Sequence, residues 1–339
     1  MRKYLLPKQG KFYKANLHLH TNVSDGGSDP ETFKKVYMSK GYSILAYSDH
    51  ERLVSHKELT DENFLALTAV ELGIHDLNCP HNYPLVCHLG CIALDENIDT
   101  QLLYHREKYI AAPGWPREKL KVDESKPDFE RVYSIDGINA MIEGAVKENF
   151  FVVYNHPAWS QESYPQYSNY NGMHAMEIIN ALSNVKTGIS EYNDRVYDDM
   201  LRLGKRIYCI AADDSHTTQE ARARGCAGAW TMIKAEKLDY PTIAKALKDG
   251  NFYSSEGPEI KELYYENGAI HVETSPADKI LFTTWPARGK AFLREWGGEL
   301  ITSAEYVPHE VSEYVRITVI DEYGKRAYSN AYFLDELKK

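Results

Sequence analysis

Six of the chain's thirteen histidines stand in short clusters with carboxylates: His18-Leu19-His20 followed by Asp25, Asp49-His50, Glu71, His88, His156 and Asp214-Ser215-His216. Imidazole and carboxylate donors together suit zinc, manganese or iron, whereas calcium and magnesium seldom take so many histidines. None of the cysteines falls within these clusters. Clustered cations acidify a water and neutralise the oxygens of a phosphoryl or carbonyl group, which is the chemistry of hydrolysis without a covalent enzyme intermediate.

The elements that position these residues recur in one grammar. An apolar, β-branched or aromatic run precedes each cluster: Lys14-Ala15-Asn16-Leu17 before His18, Tyr42 to Tyr47 before Asp49-His50, and Phe64 to Val70 before Glu71. Pro84 to Cys87 leads into His88, Phe150 to Tyr154 into His156, and Arg206 to Ala212 into Asp214, with a further run at Met176 to Asn180. Such runs read as strands, each ending at a ligand type. Helices are expected between several of them. Asp29 as cap, Pro30 at the first position, Glu31 in the first turn and Gly41 as terminator mark one over 30–40. Others are expected over 134–147, 191–203 and 240–248. This order suits parallel β/α units, whose functional groups gather at the C-terminal strand ends.

The ordered pieces His18-Leu19-His20-Thr21 with Ser24-Asp25-Gly26, then Ser48-Asp49-His50, Glu71, Asn155-His156-Pro157 and Asp214-Ser215-His216 resemble the PHP (polymerase and histidinol phosphatase) superfamily. Any one piece is weak; their order is specific. The resemblance covers residues 12–256 and implies a distorted (β/α)7 barrel with a trinuclear centre. By resemblance, His18, His20, Glu71 and Asp214 hold one metal, and a bridging Glu71 with His88 and His156 holds a second. Asp25, His50 and His216 hold the third. Glu71, Asp214 and His216 are the expected catalytic residues. His81 and His75 lie near His88, which is preferred because it sits inside the apolar run. Ser24-Asp25-Gly26-Gly27 is also a turn sequence, and it is the resemblance that assigns Asp25 to the metal.

Neighbouring residues carry lesser expectations. Asp49 is read as orienting His50, since metal-bound imidazoles take a carboxylate partner, and Asp213 as a loop cap. Arg222 and Arg224 suit a phosphate or carboxylate, or equally a solvated charged turn. Trp159 offers a flat wall for a substrate pocket or a piece of core. Glu177, an acid inside an apolar strand, needs a partner or a place at the site. Together Arg222, Arg224, Glu177 and Trp159 are the candidate substrate contacts.

Residues 95–133 exceed a common β/α connection. Thr100 to Ile110 reads as a polar-faced helix and Ala111 to Pro116 as turn, and the segment either covers the site or decorates the surface. After Gly257-Pro258 the pattern shifts to short alternating runs at 260–265, 270–274, 279–284, 314–321 and 326–333, as in a small antiparallel sandwich. Two domains are expected, 1–256 and 257–339. The phrases Asn251 to Pro258 and Arg326 to Asn330 are similar to a PHP subgroup containing carbaryl-hydrolase-like metallohydrolases.

With 339 residues, 43% of them hydrophobic, the chain can bury two cores. A net charge of −10 argues against general nucleic-acid backbone binding. Five cysteines, several in apolar runs, read as reduced buried thiols. The absence of an apolar targeting stretch or a spanning-length segment leads to the expectation of a cytoplasmic protein with no membrane partner. The sequence leaves the oligomeric state open. The expected function is a phosphoesterase hydrolysing a small phosphate ester by attack of metal-bound hydroxide, with three divalent ions of manganese, iron or zinc. Alternatives are a carboxyl-ester, carbamate or amide metallohydrolase, and a non-catalytic metal-containing binding module.

Overall fold

The computed structural model describes residues 2–78, 84–219 and 225–338. The strands of the first half are β1 (Lys3–Tyr4), β2 (Lys11–Asn16), β3 (Ile44–Tyr47), β4 (Leu65–His75), β5 (Val86–Ala93), β6 (Phe150–Tyr154), β7 (Ala175–Asn180), β8 (Tyr208–Ala212), β9 (Trp230–Ala235) and β10 (Phe252–Ser255). The helices include α1 (Pro30–Met38), α2 (Ile135–Lys147), α3 (Pro157–Ser160), α4 (Tyr164–Tyr167), α5 (Ala181–Lys186), α6 (Asp194–Arg202) and α7 (Tyr240–Lys248). Their starts follow from capping chemistry. The Asp29 carboxylate accepts the Thr32 amide at 2.9 Å, Ser134 Oγ accepts the Gly137 amide at 3.0 Å and Asp239 accepts the Thr242 amide at 2.9 Å. Gly41, at φ +80°, closes α1 in a backbone region that glycine enters without cost.

Parallel pairing joins β2 to β3 to β4 and β6 to β7 to β8. Between these blocks β5 runs antiparallel to both β4 and β6, and β9 is antiparallel to β2. The uniform β/α barrel order is therefore interrupted. Nor is the ladder path a closed ring among the described residues. From β8 back to β2 the backbone contacts are the isolated Leu19–Ser215 bridge and its flanking bonds, His20 N to Ser215 O and Asp214 N to His18 O, both 2.9 Å. The Thr231 hydroxyl on β9 adds contacts to Ala211 N at 3.2 Å and Ala211 O at 3.0 Å. The fold is a mixed α/β architecture on one large sheet.

That sheet continues past β10. Strands β11 (Ile260–Glu266), β12 (Ala269–Ala277), β13 (Lys279–Trp285), β14 (Lys290–Leu293), β15 (Ile301–Tyr306), β16 (Tyr314–Ile320), β17 (Arg326–Ser329) and β18 (Tyr332–Phe333) follow, then α8 (Leu334–Leu337). β10 pairs with β17, and β17, β16, β13 and β14 extend the same sheet, while β1, β11, β12 and β15 form a second one. Ile260, Leu263, Ile270, Val272, Ile280, Phe282, Val315, Ile317 and Val319 are buried in one cluster, the alternating inward residues of a sandwich. β14 and β15 escape the alternation rule because their residues are mostly exposed. The run expected over 326–333 is broken at Asn330. Its side chain accepts the Cys209 amide at 3.0 Å and donates to the Gly250 and Phe252 carbonyls at 2.9 and 3.1 Å, tying the sandwich edge to β8 and β10.

The helix expected over Thr100 to Ile110 does not form; the segment is turns and bends. Leu103 and Tyr109 adopt φ +45° and +72°, values that an α-helix of L-residues does not accommodate. Cys87, Cys91 and Cys209 are buried thiols, as expected, and Cys79 lies outside the described residues. Among the described residues no helix is long and apolar enough to cross a membrane.

Candidate metal centre

Two strand arrangements bring the clusters together. The Leu19–Ser215 bridge sets His18 and His20 beside Asp214, and the parallel His50–Glu71 bridge sets the end of β3 beside β4. Glu71 and His88 do not terminate strands, contrary to the sequence pattern; both lie inside the β4–β5 ladder. Because β5 runs antiparallel, its beginning meets the same edge as the ends of the parallel strands. His88 there pairs with Gly73, where a Cβ would come within 3.1 Å of the His88 ring.

Donor separations divide the nine expected ligands. His18 Nε2 lies 3.0 Å from His20 Nε2, 3.2 Å from Glu71 Oε1 and 3.3 Å from Asp214 Oδ1. His20 Nε2 is 3.0 Å from Asp214 Oδ1 and 3.4 Å from Glu71 Oε2. Four donors bound tetrahedrally at about 2.0–2.1 Å from a zinc-sized ion stand about 3.3 Å apart, so these spacings suit one cation. A second set is as tight: Glu71 Oε1 is 3.3 Å from His88 Nδ1 and 3.1 Å from His156 Nε2, and the two imidazoles are 3.3 Å apart. The third is wider. Asp25 Oδ2 lies 3.5 Å from His216 Nε2 and 3.9 Å from His50 Nε2, and Asp25 Oδ1 lies 4.0 Å from His20 Nδ1.

Burial decides how charge is handled. Glu71 is fully buried; burial alone would raise its pKa, but His18, His88 and His50 hold it well below the carboxylate range. Asp214 is held down in the same way, by His18 and His20 against the opposing effect of burial. Burial depresses His50 and His156, yet Glu71 and neighbouring carboxylates outweigh it and lift each to about 9. His20, buried and facing His50 and His216, falls to about 3. Two buried atoms, His20 Nδ1 and Glu71 Oε2, have no hydrogen-bond partner among the described residues. Such an orphan costs about 1–3 kcal/mol; a cation between the tight-set donors supplies a partner for Glu71 Oε2, while His20 Nδ1 faces Asp25 Oδ1 at 4.0 Å on the side of the wider set. The residues fit divalent metal ions.

The surroundings fix the ligands. Glu177, expected among the substrate contacts, stands behind His18, with Oε1 2.7 Å from His18 Nδ1 and Oε2 accepting the His156 amide at 2.8 Å. It is not on the cavity wall. This is the carboxylate–histidine arrangement that sets tautomer and ring direction. Asn155, whose role the sequence did not show, donates to Glu71 Oε1 at 2.7 Å. Asp49 does not orient His50: it accepts the Thr21 amide at 2.7 Å and the Ser24 amide and hydroxyl at 3.1 and 2.8 Å, pinning the loop before Asp25. Asp213 caps a loop as expected, accepting the amides of Ala227, Gly228 and Ala229. Asp214 and His156 occupy φ +57° and +26°, backbone strain of about 1–3 kcal/mol each, of the kind that clusters at functional sites.

The centre opens into a cavity of about 310 Å³. Asp25, His50, Glu71, His88, His156, Asp214 and His216 line it. Trp159, Leu182, Ser183, Lys186 and Thr187 complete its wall. The Trp159 ring lies 4.9 Å from the His156 ring and 5.6 Å from that of His88. Lys186 gave no sequence signal, since a lysine ending a short helix is ordinary. Arg222 and Arg224 lie outside the described residues.

No family model matches the chain, and no curated protein matches it. Among solved structures it is similar to a two-domain protein containing a predicted PHP-like metal-dependent phosphoesterase from Bacteroides vulgatus. That likeness has 13% identity and a TM-score of 0.45, covering 97% of this chain and 98% of the other. It is also similar to a protein from Bifidobacterium adolescentis described as a metal-dependent phosphoesterase (14% identity, TM-score 0.38, 62% and 89% covered) and to an amidohydrolase from Chromobacterium violaceum (11%, 0.37, 61% and 88%). None of these names bears on the carbaryl-hydrolase-like subgroup. At such identities and scores the chemistry rests on the donor geometry.

Proposed function

We propose that the chain is a metal-dependent phosphoesterase that hydrolyses a small phosphate ester at a centre of three divalent cations of manganese, iron or zinc. The observation that carries this reading is Glu71, whose two oxygens are shared among the imidazoles of His18, His20, His50, His88 and His156 at 3.0–3.4 Å, beneath a cavity that also holds Lys186. His18, His20, Glu71 and Asp214 would hold one ion, Glu71, His88 and His156 a second, and Asp25, His50 and His216 the third. Bound cations supply an acidified water and neutralise the phosphoryl oxygens.

The chain's own residues do the rest. Glu177 keeps His18 in the tautomer that presents Nε2 to the centre. Asn155 and the bracketing imidazoles hold the Glu71 carboxylate in place. Lys186, with the Ser183 hydroxyl, offers donors on the cavity wall for the non-bridging oxygens of a phosphate, while the Thr187 hydroxyl is given to Ser183 O at 2.8 Å and Trp159 adds an aromatic wall. A lysine on that wall favours a phosphate over a neutral ester, because an ammonium gains most against an anion.

The test is hydrolysis of matched nitrophenyl phosphate monoester, phosphate diester and carboxyl ester by protein reconstituted with manganese, iron or zinc, with metal-free protein as control. Metal-dependent phosphate release is expected. Turnover of the carboxyl ester alone would move the chain to the carboxyl-ester, carbamate or amide hydrolases, and silence on all three would leave a binding module.

A further inference from the structure

The three donor sets are not equally supported by the fold. The two tight sets draw on strands β4 and β5 and on residues that directly follow β2, β6 and β8. Asp25 instead sits on the loop between β2 and α1, its side chain is 37% exposed, and its separations from His216, His50 and His20, 3.5, 3.9 and 4.0 Å, are wider than any within the two tight sets. Loop-borne ligands need something outside the sheet to hold them.

Segment 95–133 meets both the β2–α1 loop that carries Asp25 and the stretch after β3 that carries His50. Trp115 N donates to Val23 O at 2.8 Å, and Gly114, at φ +119°, packs so closely that a Cβ there would fall 2.4 Å from Val23 O. Arg52, two residues past His50 and almost wholly buried, donates from Nη1 to the His50 carbonyl at 3.0 Å, from Nε to Trp115 O at 2.9 Å and from Nη2 to Ala111 O. Gln101 accepts the Leu53 amide at 2.9 Å. From the far end of the segment Arg131 pairs with Glu51 at 2.6 Å and donates to Gly73 O at 3.0 Å, while Glu51 accepts the Gly73 amide at 2.8 Å. Glu51 itself sits at φ +58°, a conformation that its surroundings must enforce. No residue of 95–133 lines the cavity.

We propose that segment 95–133 is a brace for the Asp25–His50–His216 metal position, with Arg52 as the positioning residue that links the brace to the His50 backbone. The segment acts on the centre from behind and is not a cover over the cavity. This inference rests on the metal-centre reading above.

The test uses full-length protein, stripped with chelator and reloaded with zinc, as Arg52→Met and Gly114→Ala variants. The hydrogen bonds of Arg52 go only to carbonyls, so the first removes the link itself, together with a positive charge that bears on Asp49, Glu51 and Asp25. Gly114→Ala forces the brace off Val23 from the other side. Elemental analysis after dialysis is expected to show one zinc equivalent fewer than wild type, or one equivalent held at least ten-fold more weakly, with the remaining equivalents kept. Full zinc content with unchanged dissociation in both variants would overturn the brace. So would loss of all equivalents in step with unfolding, which is a general structural role. Wild-type protein that retains no zinc, manganese or iron would instead remove the metal-centre reading itself, and the brace with it.

Discussion

His18 Nδ1 lies 2.7 Å from Glu177 Oε1, while Nε2 of the same ring faces Glu71 at 3.2 Å and Asp214 at 3.3 Å. One carboxylate therefore dictates which nitrogen is free to bind. Glu177→Gln keeps the shape but weakens this hold, and metal affinity is expected to fall by about 10–100-fold. A chelator competition measures it; wild-type affinity in the variant would show that Glu177 only fills space.

The metal-free centre should carry a pH signature. His50 and His156 are raised to about 9 in the folded chain, above the ordinary histidine value of about 6.5. A raised folded pKa contributes stability that is fully present below about 6.5 and is lost as pH climbs through about 9. The melting temperature of chelator-treated protein is expected to fall across that window, while zinc affinity rises across it because fewer protons must leave. Calorimetry and zinc titration at pH 6, 7.5 and 9 check both. A flat melting profile would contradict the charge balance described for Glu71.

On the proposed reading Lys186 would separate phosphate from neutral esters. Lys186→Met is expected to raise KM for a phosphate monoester by about ten-fold, the loss of one charge-assisted hydrogen bond, with bound metal unchanged. Equal KM in variant and wild type would remove Lys186 from the substrate wall.

Gly90 lies on β5 where a Cβ would fall 2.8 Å from Asn155 Oδ1, and Asn155 holds Glu71. Gly90→Ala is expected to destabilise the protein by about 1–3 kcal/mol through overpacking and to lower its metal content. Denaturant melts and elemental analysis read the two effects, and normal metal content would show that Asn155 is dispensable.

The sandwich and the β/α region share an ion pair between buried Arg316 and the partly exposed Asp198 on α6, at 2.7 and 2.8 Å. Removing one partner of a fully buried pair costs about 3–5 kcal/mol, and the solvent left to Asp198 lowers that cost here. Arg316→Met is expected to lower the unfolding temperature within a single calorimetric transition, because the β10–β17 ladder, Asn330 and the Arg326 and Tyr328 bonds to Asp194 still couple the parts. A single transition at the wild-type temperature would contradict this.

The local chemistry was legible in the chain. Asp29, Pro30 and Gly41 bound α1, and Ser134 and Asp239 start their helices, because caps act over three or four residues. The ligand types were legible too, since each follows or enters an apolar run. The long 95–133 segment was not: Thr100 to Ile110 has helical composition, but residues 101–103 are claimed by contacts to Leu53 and Arg131 that no local rule contains.

By itself the sequence determined which donors the protein owns and where α1, α2 and α7 begin, because capping, periodicity and ligand chemistry are properties of neighbouring residues. Only the tertiary structure decided how those donors share atoms. The reversal of β5 carries His88 to the same edge as His156, the Leu19–Ser215 bridge joins residues remote in the chain, and Glu177 proves to be a support for His18. Each depends on strand direction or on a partner across the fold, and a buried carboxylate's role is set by what surrounds it in space.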